Sequence, residues 1–146
     1  MKKTLGLLLL LGLGLLAGCQ NPSAPLVDGE VLLLPGTWHA DLDVPEVPYP
    51  GTSATDVWWE QVTATERYWV PENGAGFAVM GLAKPSPADC QGAPLSDAPI
   101  DGSSGPTNQI PSGTYLCGRT AEGRIAVVRV EQYGYTLVLR VWVYRP

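Results

Sequence analysis

Behind its first two dozen residues the chain contains no long run of helical periodicity. Its apolar stretches are short, rich in Val, Leu, Trp and Tyr, and broken throughout by turn-forming residues, including 17 Gly and 14 Pro. Such punctuation interrupts helices but suits strands joined by tight turns, so it predicts an all-β, antiparallel, sandwich-like domain of about eight strands. The expected strands cover 30–34, 37–43, 56–60, 66–70, 76–82, 114–120, 124–131 and 136–144. Pro71-Glu72-Asn73-Gly74 reads as a turn, which would make 66–70 and 76–82 a hairpin. Residues 29–146 suffice for a single domain with its own core, interrupted by a long irregular loop at 84–112 dominated by Pro, Gly, Ser and Asp.

The last three strands permit a register argument. If 132–135 is a hairpin loop, Val130 faces Leu137, Val128 faces Leu139 and Ala126 faces Val141. If 121–123 closes the preceding hairpin, Leu116 joins the same side opposite Val128. One face is then wholly apolar, as a core face must be. The opposite face is mixed: Tyr115, Cys117, Arg119, Ile125, Val127, Arg129, Val138, Arg140 and Trp142. It is too apolar to stand bare and too charged to be a second core.

At the N-terminus Lys2 and Lys3 precede an apolar run from Leu5 to Leu16. That run falls short of the ~20 residues a spanning helix needs and reads as the core of a signal peptide. It ends in Leu16-Ala17-Gly18-Cys19, which resembles the lipobox of bacterial lipoproteins. The resemblance implies a signal peptide at 1–18, cleavage before Cys19 and acylation of that residue, with the lipid bilayer as partner. Several acyl chains on one residue give stable anchoring. The alternative is a soluble secreted chain cut near the same place. Residues 19–28 are expected to be the lipidated cysteine and a polar tether, and Gln20 is compatible with the outer membrane. The localisation implied is the bacterial cell envelope, extracytoplasmic, the outer membrane or cell surface ahead of the inner membrane.

Losing Lys2 and Lys3 with the leader leaves seven basic residues against 14 acidic ones. So acidic a body, with Lys84 its one remaining lysine, is unsuited to nucleic acid, where counterion release needs clustered positive charge. With Cys19 used by lipid, Cys90 and Cys117 remain, and an exported chain most simply joins them. Free thiols or an intermolecular bridge are the alternatives. A Cys90–Cys117 bridge would draw the 84–112 loop across the mixed face, bringing Asp89, Asp97 and Asp101 towards its arginines.

Candidate chemistry is sparse. The single histidine, His39, lies in an H-x-D-x-D ladder with Asp41 and Asp43. Same-face strand residues stand roughly 6.5 Å apart, so two but hardly three of them share an ion; the expectation is a solvated polar face, with no metal and no cofactor. No G-x-S-x-G elbow occurs, and no catalytic residues are assigned. A small envelope-polymer hydrolase using Glu60 and Glu66 ranks third among the readings. Alternation divides the tryptophans, placing Trp38 with Ala40 and Leu42 on the core side and one of Trp58 and Trp59 outward. An outward indole is a platform for sugar rings. Arg119, Arg129 and Arg140, with Tyr115 and Trp142 beside them, would suit a carboxylate or phosphate.

The segments "HADLD", "TDVWWEQVTATERYWVPENGAGFAVMG", "GTYLCGRTAEGRIAVVRV" and "LVLRVWVY" resemble a pattern of exported bacterial β domains, with a D-x-W-W-E-Q strand and a closing V-R-T-x-x-G-R hairpin. The resemblance spans most of 37–144 except the 84–112 loop and implies export and a β domain, but no activity. More remotely it extends to haem-binding lipoproteins of the HmuY type. That group uses two histidines where this chain has one, so haem is not carried over; His39 with Met80 is the sole formal pair. The function expected is a non-enzymatic binding or structural module, with an envelope glycan, an anion or a protein as its partner.

Overall fold

A computed structural model describes residues 24–146; the leader at 1–18, Cys19 and the start of the tether lie outside the described residues. In chain order the elements are β1 (Pro25–Pro35), β2 (His39–Ala40), β3 (Val57–Gln61), β4 (Arg67–Pro71), β5 (Gly76–Gly81), α1 (Pro87–Gln91), β6 (Ile100–Asp101), β7 (Tyr115–Arg119), β8 (Ile125–Gln132) and β9 (Thr136–Tyr144). Two antiparallel sheets form, one in the order β1-β9-β8-β7-β5 and the other β2-β3-β4-β6. The fold is therefore an all-β sandwich, as the punctuated sequence predicts. No helix among the described residues is long and apolar enough to cross a membrane.

The core lies between the sheets. Leu34, Leu116, Val128, Val130, Leu137, Leu139 and Val141 join Val57, Trp59 and Trp69 there, all fully buried. Each such side chain contributes roughly 1.5–3 kcal/mol of transfer free energy. Trp59 and Trp69 are direct cross-strand partners. Trp69 meets Phe77 of the opposite sheet edge-on, with centroids 5.1 Å apart and planes at 85°. Gly118 makes room for Phe77, since a Cβ there would stand 2.6 Å from its ring.

Four expectations need correction. The 66–70 and 76–82 strands are no hairpin: β4 pairs with β3 and β6, while β5 pairs with β7 in the other sheet. Asn73 and Gly74 do turn the chain, both at positive φ, but the turn carries it between sheets. Alternation is the same in either case, so the pattern does not distinguish them. In the C-terminal hairpin Val130 pairs with Leu139 and Val128 with Val141, two residues from the expected register. A bulge between Val130 and Gln132 changes the register by one, from a slip of three beside the turn to the slip of two along the rest of the hairpin. A shift of two preserves the face, and the apolar side survives intact. The Leu116–Val128 pairing is as expected.

The strand expected at 37–43 shrinks to His39–Ala40. Thr37 takes a positive φ of 75°, and Asp41 and Glu46 exchange backbone hydrogen bonds across a tight turn. Trp38 thereby leaves the core side and is 38% exposed. Residues 25–28, expected within the 19–28 tether, instead begin β1 and pair with the end of β9.

Cys90 and Cys117 form a disulfide, both fully buried. A Ser86–Asp89 capping box starts α1, which places Cys90 on the outer face of the five-stranded sheet. There the bridge packs with Ile125, Val127 and Tyr144 in a second small core. The remainder of the 84–112 stretch crosses to the other sheet, where β6 pairs with β4. Closing a 27-residue separation stabilises by roughly 3–4 kcal/mol on the chain-entropy account.

Candidate functional site

His39 of β2 and Trp58 of β3 are cross-strand partners on the outer face of the four-stranded sheet. Their rings stack 5.7 Å apart at an interplanar angle of 11°. Trp58 Nε1 donates to the Thr37 carbonyl at 3.1 Å, which fixes the indole against the preceding turn. Glu72 lies just past β4, its backbone N–H bonded to the Asp56 carbonyl. Its carboxylate straddles His39 Nδ1 at 2.8 and 2.9 Å and accepts the Thr55 hydroxyl at 2.8 Å. With Nδ1–H given to Glu72, a neutral ring carries its lone pair on Nε2.

The loop from Val47 to Thr55 forms the remaining wall. Gly51 lies flat on the imidazole, where a Cβ would be 2.7 Å from Nδ1. Tyr49 is 62% exposed and lies 5.3 Å from the half-open Trp38. Thr37, His39, Tyr49, Pro50, Trp58 and Glu72 together line a cleft of about 390 Å³. That is the lower range of small-ligand sites, and its mixture of aromatic faces with a few directed polar groups is what such sites require.

Of the residues the sequence singles out, Trp58 and His39 line this cleft. Arg119, Arg129, Arg140, Tyr115 and Trp142 lie on the other sheet and do not form one open site. Arg129 and Arg140 are cross-strand neighbours that share Glu131, Arg129 through Oε2 and Arg140 through Oε1 at 3.1 Å. Arg140 also donates to the Gly29 carbonyl at 2.9 Å. Arg129 approaches the Tyr115 ring, and Lys84 Nζ covers Trp142 at 3.7 Å from its centroid. Arg119 is exposed, four residues along β7 from Tyr115 and hence roughly 13 Å from it. The expected loop acids serve elsewhere: Asp89 caps α1, and Asp101 accepts from Ser103. Glu60 and Glu66 do not line the cleft. His39 and Met80 belong to different sheets, and Met80 packs beside the disulfide.

Asp41 and Asp43 are not the solvated face expected of them. The turn at 41–46 directs both inward, where they meet Asp56 immediately before β3. Asp56 accepts from the backbone N–H of Leu42 at 2.7 Å and of Ala121 at 2.6 Å. Burial pushes its carboxyl up to about 7 despite those donors, with Asp43 and Asp41 pushing the same way. Burial likewise raises Asp41 and Asp43.

Glu72, Thr55, Tyr49 and Asp56 escaped the sequence reading. Asp56 opens the D-x-W-W-E-Q strand and Glu72 sits in the 71–74 turn, but neither pattern assigns a site residue; adjacency across strands and turns assembles all four. The sandwich and its cleft define a β domain with a concave aromatic site on one sheet. The chain matches no family model, no curated protein and no solved structure.

Proposed function

We propose that this protein is a lipid-anchored, non-enzymatic binding module of the bacterial envelope that receives a saccharide ring in the His39–Trp58 cleft. The observation that carries the reading is the stacked His39–Trp58 pair, set beside Glu72 in a cleft of about 390 Å³. Aromatic faces suit the C–H face of a sugar, while Glu72 and His39 offer partners to its hydroxyls. An anion as the ligand has less support, because Glu131 already pairs with Arg129 and Arg140.

The test is titration of the full chain in detergent with envelope-derived oligosaccharides, followed by tryptophan fluorescence. Saturable binding to the wild type and its loss in Trp58→Ala is the expected result. Equal binding by both proteins would remove the cleft from the argument. Anchoring is tested separately: fatty-acid labelling of cells should mark the wild type and not Cys19→Ser.

A further inference from the structure

We propose that Asp41, Asp43 and Asp56 form a binding site for calcium, beneath the cleft and independent of what the cleft binds. One carboxylate oxygen from each residue lies within 4.8 Å of the others. Calcium–oxygen bonds of about 2.4 Å place donors on opposite sides of one ion at about that distance, so the three oxygens lie close enough together to share one ion. The donor set is purely oxygen. His39, the one imidazole nearby in sequence, is held by Glu72 instead. Hard oxygen donors select calcium or magnesium over zinc and copper.

A second observation points to a missing ligand. The Asp43 side chain is entirely closed to solvent, and its Oδ1 takes both available donors, Thr120 Oγ1 at 3.1 Å and Arg124 Nη1 at 3.2 Å. Its Oδ2 is buried and has no hydrogen-bond partner. A buried carboxylate oxygen in that position is strongly disfavoured unless a donor or cation meets it, and Arg124 meets only Oδ1. Of the three buried carboxylates only Asp43 meets a guanidinium, that of Arg124, which it shares with the more exposed Glu122. A divalent ion removes the residual negative charge. Both oxygens of Asp56 accept backbone N–H groups, which hold the carboxylate in place at the edge of the cluster.

The ligands are distributed to make an ion structurally useful. Asp41 and Asp43 lie in the tight turn after β2, and Asp56 immediately precedes β3, so one ion pins both ends of the excursion that carries Tyr49, Pro50 and Gly51. Waters would complete the six to eight ligands calcium takes.

The experiment uses the full chain in detergent, stripped with a chelator and returned to calcium or magnesium at mildly alkaline pH. Calorimetry should find one calcium per chain, and thermal unfolding should move up by several degrees at saturating calcium. Magnesium should give a smaller shift. Asp43→Asn keeps the acceptor for Thr120 and Arg124, and Asp41→Asn alters the least engaged carboxylate; both should remain folded by circular dichroism and lose the calcium response at least tenfold in affinity. No heat and no shift in the folded wild type overturns the site. So does an undiminished response in both variants, which would place the ion elsewhere. Magnesium acting as strongly as calcium overturns the choice of ion. The saccharide titration reads Trp58 and is unaffected by failure here.

Discussion

On the four-stranded sheet His39, Trp58 and Glu72 meet at the wall of a cleft, whereas on the five-stranded sheet Arg129, Arg140, Tyr115 and Trp142 are each engaged by a neighbour. Both outer faces offer aromatic rings beside charged groups. The difference lies in where the partners come from. Bulging β8 at Glu131 places a carboxylate between two cross-strand arginines, and the disulfide-tethered segment lays Lys84 over Trp142. On the cleft side the polar groups pair with one another, His39 with Glu72 and Glu72 with Thr55, without filling the space in front of Trp58. A face of rings and charges becomes a site only when its own partners leave one side open.

The comparison is broken most severely by removing the staple. Replacing Cys90 and Cys117 together by Ser should cost about 3 kcal/mol in urea unfolding, and it should expose Ile125 and Val127 to a hydrophobic dye. The cleft face should keep its ligand wherever the variant remains folded.

The buried acids give the next largest effect, of order 3 kcal/mol. Asp56 titrates near 7 in the folded chain against an ordinary 3.8, so the folded state holds this proton more tightly than the unfolded one. Its contribution is full below about pH 3.8 and is lost as pH rises through about 7. Asp41 and Asp43, raised also by burial, act in the same direction, as Glu122 adds negative charge nearby; Arg124 opposes them at Asp43. In chelator, the melting temperature should therefore fall between pH 5 and pH 8 on the order of ten degrees. A flat profile would show that the cluster is not charged by that rise.

Within the cleft, Glu72→Gln should weaken saccharide binding about tenfold, roughly 1.4 kcal/mol, by loosening His39. Gly51→Ala should act likewise, because its methyl would displace the imidazole. Smallest is Glu131→Gln: the partly buried pairs it breaks are worth about 1 kcal/mol each at most. Freed of Glu131, Arg129 and Arg140 should acquire measurable affinity for inorganic phosphate that the wild type lacks. Iodide should quench only part of the native tryptophan fluorescence, since Trp59 and Trp69 are fully buried while Trp38 is 38% exposed. Complete quenching or none contradicts this division.

Much of the architecture was legible because alternation reports burial directly. Eight of the nine strands lie at or near expected positions, and the apolar face of Val128, Val130, Leu137 and Leu139 is the core face. What alternation does not report is partnership. The same pattern serves a hairpin and a passage between sheets, which is why the turn at Asn73 was recognised and its consequence was not. Period 2 is equally blind to a shift of two, so the bulge beside Glu131 and its effect on the arginines were hidden. At Asp41 and Asp43 the pattern misled, because a positive φ at Thr37 and the turn to Glu46 ended the strand after two residues.

The sequence by itself determined the β class and the inward apolar face, because each depends on residue type and short spacing. Only the tertiary structure decided that Glu72 meets His39 across 33 positions, that Asp56 joins Asp41 and Asp43, and that Glu131 closes the arginine face. Those encounters are made by strand order and by turns that reverse a side chain's direction. Strand order and turn direction arise from how the two sheets pack together, a property no local stretch of residues carries.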